Sequence, residues 1–133
     1  MILLDTHVLL WLRQGSPKLG KTAIQLIDEN FKKNTLAVSA ISFWEISLLQ
    51  IKGRIQLSQE LVSWRNNVLD DGIHEFPING ATGIYSNQLI DFHQDPADRL
   101  IVATALLNKA ILLTADSKIL EWGPDKNFIN AAV

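Results

Sequence analysis

An α/β domain organised on a parallel sheet is the fold class this sequence predicts, and three observations predict it. Ile2-Leu3-Leu4, Thr35-Leu36-Ala37-Val38 and Ile111-Leu112-Leu113 are short, continuous apolar runs, the pattern of strands buried on both faces. Segments with apolar residues at helical spacing fall between these runs, so strand and helix alternate and right-handed crossovers follow. With 133 residues, 47% of them apolar, the chain is long enough to bury a core as a single domain, 1–133.

Each element has its own signal. The Ile2–Leu4 strand stops at Asp5-Thr6, and His7 to Arg13 reads as a short helix ending before Gly15-Ser16-Pro17. Lys21 to Lys33 is amphipathic, with Ile24, Ile27 and Phe31 on one stripe. After the second strand, Ile41 to Lys52 reads as a helix closed by Gly53, and Ser58 to Leu69 as another. Ile73 to Ile78 reads as an edge strand, because Pro77 has no N–H to give to a ladder. Helices are expected over Ala81 to Ile90 and Pro96 to Asn108, the latter capped by Asp95 with Pro96 at its first position. The Ile111–Leu113 strand ends at Thr114-Ala115-Asp116, and the tail beyond Trp122 reads as a last strand over 127–129.

Charge and composition exclude several functions. The net charge of −2 does not supply the positive field of a non-specific nucleic-acid coat, though an enzyme holding phosphates through metal ions needs no such field. With no cysteine, zinc–thiolate sites and disulfides are absent. MILLDTHVLLWL lacks a basic leader region and is interrupted by Asp5, and no apolar run approaches the roughly 18 residues of a membrane helix, so a cytoplasmic location is expected.

Four acids stand out. Asp5 and Asp116 end the first and fourth strands, at the carboxyl edge where open parallel sheets bind ligands. Asp98, in HQDPADRLI, starts the helix that feeds the fourth strand and reaches that edge only if its helix begins close to it. Glu45 has Ile41, Leu48 and Leu49 as helical neighbours, so its carboxylate borders an apolar stripe, where an unpartnered charge is costly. Each acid also has an ordinary reading: Asp5 as a helix cap, Asp116 as a turn residue, Asp98 as a first-turn acceptor, Glu45 as a stripe-edge residue whose head reaches water. Taken together they fit one acidic pocket for a divalent cation, Mg²⁺ or Mn²⁺ by its preference for carboxylate oxygen.

The stretches ILLDTHVLLWL, SAISFWEISLL, HQDPADRLIVATAL and LLTAD, in this order and spacing, resemble the PIN-domain nucleases, most closely the VapC-type toxins of bacterial toxin–antitoxin pairs. The resemblance runs from near Met1 to about Asp116. It implies a three-layer α/β/α fold on a central parallel sheet, a metal-dependent ribonuclease, and Asp5, Glu45, Asp98 and Asp116 as the acidic quartet that holds Mg²⁺ or Mn²⁺ and carries catalysis. It places Asp98 in the pocket, and it implies an RNA substrate, a cognate antitoxin and a homodimer. Ala97 departs from the pattern, since the residue between the proline and the acid is often bulky, commonly Phe.

Around the quartet, Thr6 and Thr114 carry hydroxyls placed to support the acids. His7 and His93 flank the acids and read as structural histidines ahead of a role in orienting the site, and Arg99 as a partner for a carboxylate or RNA, or as a helix salt bridge. Lys52 and Arg54 follow the Glu45 helix as candidate guides for an RNA backbone. The four tryptophans, Trp11, Trp44, Trp64 and Trp122, read as core or dimer contacts rather than base-stacking platforms. Two rivals stand beside the nuclease. A phosphohydrolase or receiver-like domain also gathers acids at strand ends, but the first strand here has no D-x-D. A catalytically silent RNA- or protein-binding module has no reason to keep four acids.

Overall fold

The computed structural model describes residues 1–123 and 127–133 and holds a single five-stranded sheet among them. In chain order the elements are β1 (Ile2–Leu4), α1 (Thr6–Gln14), α2 (Lys21–Lys32), β2 (Leu36–Ser39), α3 (Ile41–Ile51), α4 (Leu61–Asp70), β3 (His74–Phe76), α5 (Gly80–Asn87), α6 (Pro96–Leu107), β4 (Ile111–Thr114), α7 (Ser117–Trp122) and β5 (Phe128–Asn130). Strand order is β3-β2-β1-β4-β5, and every pairing is parallel.

The pleat sorts the side chains into two cores. Ile2, Leu4, Leu36, Val38 and Leu113 point to the face covered by α1 to α4, where they meet Val8, Ile27, Ile46, Trp64 and Val68. Leu3, Ala37 and Leu112 point the other way, onto Ile101, Val102 and Ala105 of α6 and Ile119 of α7. A sheet covered on both faces is the three-layer α/β/α arrangement, and it explains why the strands read as unbroken apolar runs. At the sheet edge β3 ends just before Pro77, and Arg65 of α4 holds it by two parallel 2.8 Å hydrogen bonds to Glu75.

Several elements differ from the sequence expectation, β3 among them, confined to His74–Phe76 of the expected 73–78. The fourth helix begins at Leu61 rather than Ser58. The fifth begins at Gly80, capped by the Asn79 side chain on the N–H of Thr82, and stops at Asn87, leaving Ile90 78% exposed in a loop. The six-residue α7 carries no strong periodicity in sequence; Asp116 starts it, accepting from the N–H groups of Lys118 and Ile119.

Candidate acidic active site

The central position of β1 brings the ends of β1 and β4 side by side, Leu4 in register with Leu113, so Asp5 and Asp116 emerge at one edge. A helix joining parallel strands runs antiparallel to them, which puts its N-terminus at the strands' carboxyl edge. The first turn of α6 therefore delivers Asp98 to the same place, and the geometric condition set from sequence is met. From the face of α3, Glu45 closes the group. Asp5, Glu45, Asp98 and Asp116 line one cavity of about 290 Å³ together with His7, Trp11, Asp95 and Ala115. No lysine or arginine among the described residues lines it.

Asp5 is the most buried of the four. Its two oxygens are held apart by different donors: the Thr6 N–H at 2.8 Å, which is also the α1 cap, and the Thr114 hydroxyl at 2.6 Å. Burial raises its pKa, and these hydrogen bonds offset only part of the effect. Thr114 thus supports an acid as its position suggested. Thr6 contributes its backbone, while its hydroxyl donates to Ser42 on α3 and ties α1 to the helix of Glu45.

Glu45 is half-buried, and its Oε1 is fully enclosed without a hydrogen-bond partner among the described residues. Its head does not lie free in water. Burial raises its pKa, the nearby Thr6 hydroxyl lowers it somewhat, and the charge of Asp5 raises it again. Asp98 is pushed up to about 8, first by burial and then by Asp5, Asp95, Asp116 and Glu45 around it. Such a group of acids is matched to a cation from outside the chain, whose charge would offset both the desolvation and the mutual repulsion.

His93, which reads from sequence first as a structural histidine, lies beside the acids. Its Nε2 lies 3.2 Å from Asp98 Oδ2, off the hydrogen-bond line, and is otherwise buried without a partner. Ligand atoms of His93, Asp98 and Asp116 all fall within 4.8 Å of one another, close enough to share one metal ion. The signal in sequence was the H-x-D-P spacing, which puts the imidazole on the loop entering α6. Asp95 stays a cap, accepting from the N–H groups of Ala97 and Asp98.

Arg99 forms neither the helix salt bridge nor the pocket ion pair its sequence context suggested: among the described residues it pairs with no carboxylate. Its Nε and two terminal nitrogens donate to four backbone carbonyls, of His93 (2.9 Å), Ser86 (2.9 Å), Leu89 (3.4 Å) and Phe92 (2.6 Å), and its plane lies 5.6 Å from the Phe92 ring. These carbonyls line the loop from α5 to α6, which carries His93 and Asp95. Sequence could not reveal this, since backbone acceptors leave no mark on side-chain identity.

Two measurements test the electrostatics. Glu45→Gln removes a charge that burial disfavours, so metal-free thermal stability should hold or rise slightly while metal-dependent activity falls more than about 10²-fold, the lower range for a positioned acid or base. A drop in stability with activity intact would show an ordinary structural glutamate. For Asp98, the folded pKa of about 8 stands above the ordinary carboxylate value of 3.8. Between those values the folded chain holds a proton that the unfolded chain has lost, so metal-free stability should fall as pH rises from about 4 to about 8. Urea unfolding of wild type and Asp98→Asn across that range should give a slope in the first that is much reduced in the second. Parallel curves would refute the shift.

Comparisons with known proteins agree with this architecture. The PIN domain family model matches residues 2–122. A sequence 34% identical over 122 residues, spanning 89% of this chain and 88% of its own, is Ribonuclease VapC22 of Mycobacterium tuberculosis (strain ATCC 25618 / H37Rv). Among solved structures, VapBC-1 from nontypeable Haemophilus influenzae superposes with a TM-score of 0.70 at 18% identity, with all of both chains covered. DNA-bound VapBC from Salmonella typhimurium gives 0.70 at 15% identity, covering 97% of this chain and 96% of that one. At these identities the structural likeness speaks for the fold. Among the described residues, no helix is long and apolar enough to cross a membrane.

Proposed function

The chain belongs to the PIN-domain family, and from that premise we propose that it is a metal-dependent endoribonuclease, the toxin of a VapBC-type toxin–antitoxin pair acting in the cytoplasm. The observation that carries this reading is the meeting of Asp5, Glu45, Asp98 and Asp116 in one cavity with no lysine or arginine among its described lining. Residues 1–133 act in it as one nuclease domain.

The donor set suits Mg²⁺ or Mn²⁺. Carboxylate oxygens dominate it, and a neighbouring imidazole is tolerated better by Mn²⁺. Asp98 and Asp116 would hold the ion, with Asp5 oriented toward it by Thr6 and Thr114 and with His93 beside Asp98. When bound, the ion supplies Lewis acidity for hydrolysis of a phosphodiester. Glu45, enclosed and unpartnered at Oε1, is placed to complete the shell or to take the proton of the attacking water. Its raised pKa makes it a stronger base than an exposed glutamate.

A nuclease free in its own cell requires a restraint, which is why the reading includes a cognate antitoxin. An acidic cavity is most simply blocked by an inserted Arg or Lys, whose charge stands in for the metal. The reading also takes the active form as a homodimer.

The deciding experiment incubates purified protein with single-stranded RNA and, separately, with a generic phosphomonoester, with and without Mg²⁺ or Mn²⁺. RNA cleavage that requires the metal, with the phosphomonoester untouched, is expected. The reverse preference would identify a phosphohydrolase. In cells, expression of wild type should slow growth and expression of Asp5→Asn should not; equal harmlessness together with no cleavage in vitro would leave a binding module.

A further inference from the structure

A second cavity, of about 380 Å³, opens beside the acidic one, and the two share His7, Glu45 and Asp95 as a common wall. Its far side is of different chemistry. Trp44, the neighbour of Glu45 on α3, lines it while remaining 53% exposed, whereas Trp64 is only 6% exposed in the core. Lys52 and Arg54, just past the end of α3, complete the rim. Among the described residues neither cation has an ion-pair or hydrogen-bonding side-chain partner, although Glu45 and Asp95 line the same cavity. An exposed indole, two unpaired cations and direct continuity with the acids together make a track leading out of the site.

We propose that this groove is a nucleotide subsite that holds the single strand flanking the cleaved bond, with a base stacked on Trp44 and the backbone phosphates on Lys52 and Arg54. The inference rests on the ribonuclease reading for its polymer. The chemistry is specific to an unpaired strand. A base inside a duplex has no free face to offer an indole, whereas stacking on an aromatic ring accepts any unpaired base. From Glu45 to Lys52 the helix rises about 10 Å, so a strand leaving the acids meets the indole first and the cations next. Ala97 also lines the groove, and its single methyl leaves the passage wide where a larger residue would narrow it. The groove would therefore set where the RNA lies relative to the acids, and its sequence preference would be weak because stacking and phosphate contacts read no base edge.

Binding separates this subsite from catalysis. Fluorescence anisotropy of a labelled single-stranded RNA should be followed on the full chain carrying Asp98→Asn, which slows cleavage, with no divalent metal added. Adding Trp44→Ala should weaken binding roughly 5- to 100-fold, the worth of one stacked base, and Trp44→Phe should restore most of it. Lys52→Ala and Arg54→Ala should each weaken binding to every sequence alike and reduce the salt dependence of log K by about 0.7. A duplex of the same sequence should bind without sensitivity to position 44. Sedimentation velocity on each variant distinguishes a lost dimer contact. If Trp44→Ala dissociates the protein but leaves RNA affinity unchanged, or if none of the substitutions alters affinity, the subsite is overturned while wild-type cleavage keeps the ribonuclease reading intact. If binding depends on Trp44 but wild type never cleaves with Mg²⁺ or Mn²⁺, the subsite stands and the ribonuclease reading falls.

Discussion

Asp98→Asn will cleave RNA more than about 10²-fold more slowly than wild type at saturating Mn²⁺, yet it will fold normally and melt no lower without metal. The size of the loss follows from position. Residues that merely support a metal ligand are worth about 10- to 100-fold in affinity or activity, and Asp98 stands closer than that, within 4.8 Å of the ligand atoms of both His93 and Asp116. The stability result follows from the environment. Burial and four neighbouring acids push the Asp98 pKa up to about 8, so its ionised form is disfavoured in the folded, metal-free chain. Asparagine keeps the shape and never ionises. Added Mn²⁺ should raise the melting temperature of wild type and hardly move that of the variant, because only a ligand bound to the native state stabilises it. Wild-type rates in the variant would remove Asp98 from the site; a folded wild type that gains nothing from Mn²⁺ would remove the metal.

Arg99→Leu will lose about 2–4 kcal/mol of stability. Four backbone carbonyls accept from this one guanidinium, and an apolar side chain leaves them without their donor. Some will recover water as the loop opens, which keeps the loss below the sum of four charged hydrogen bonds. Arg99→Lys should recover little, because a compact ammonium cannot span carbonyls spread over residues 86 to 93 as a planar fork does. Since the loop carries His93 and Asp95, Mn²⁺ affinity should fall with stability, measured by titration at a temperature where both proteins remain folded. A variant as stable as wild type would show that the carbonyls find other partners.

The legible part of the fold was its sheet. Ile2–Leu4, Leu36–Ser39 and Ile111–Thr114 are buried from both sides, so their apolar runs had no competing interpretation. Helices with a buried stripe were equally visible, as were the Asp95 cap and the edge position of β3. Less visible was whatever depends on backbone groups or on contacts across the fold. The loop after α5 has a turn residue in Asp91, at φ 58°, but the rest of its course is held by Arg99 from the next helix, which its own residues do not announce. The short α7 has one buried residue, Ile119, too few to set a period. In the site, Asp5, Glu45 and Asp116 stand out because carboxylates beside apolar runs are conspicuous, whereas the family resemblance is what brings Asp98 to the same cavity. His93 is less legible, because the H-x-D-P spacing puts its imidazole at the entry to α6 but does not tell a histidine facing Asp98 from one facing water. Trp44 was read with the other tryptophans, and only the fold separates an exposed indole beside the acids from a core indole such as Trp64.

The hydrogen bond from Thr114 to Asp5 joins residues 109 positions apart, and β1 completes its pairing only when β4 docks against it. During synthesis the first strand therefore waits, paired on one side at most, until β4 has been made. Closing so long a loop is entropically slow, and the contacts that reward it come last. Asp116 arrives with the same strand. A nascent or prematurely terminated chain thus carries Asp5, Glu45 and Asp98 but no assembled cavity. The four acids share a cavity only once β4 has docked beside β1 and brought Asp116 with it.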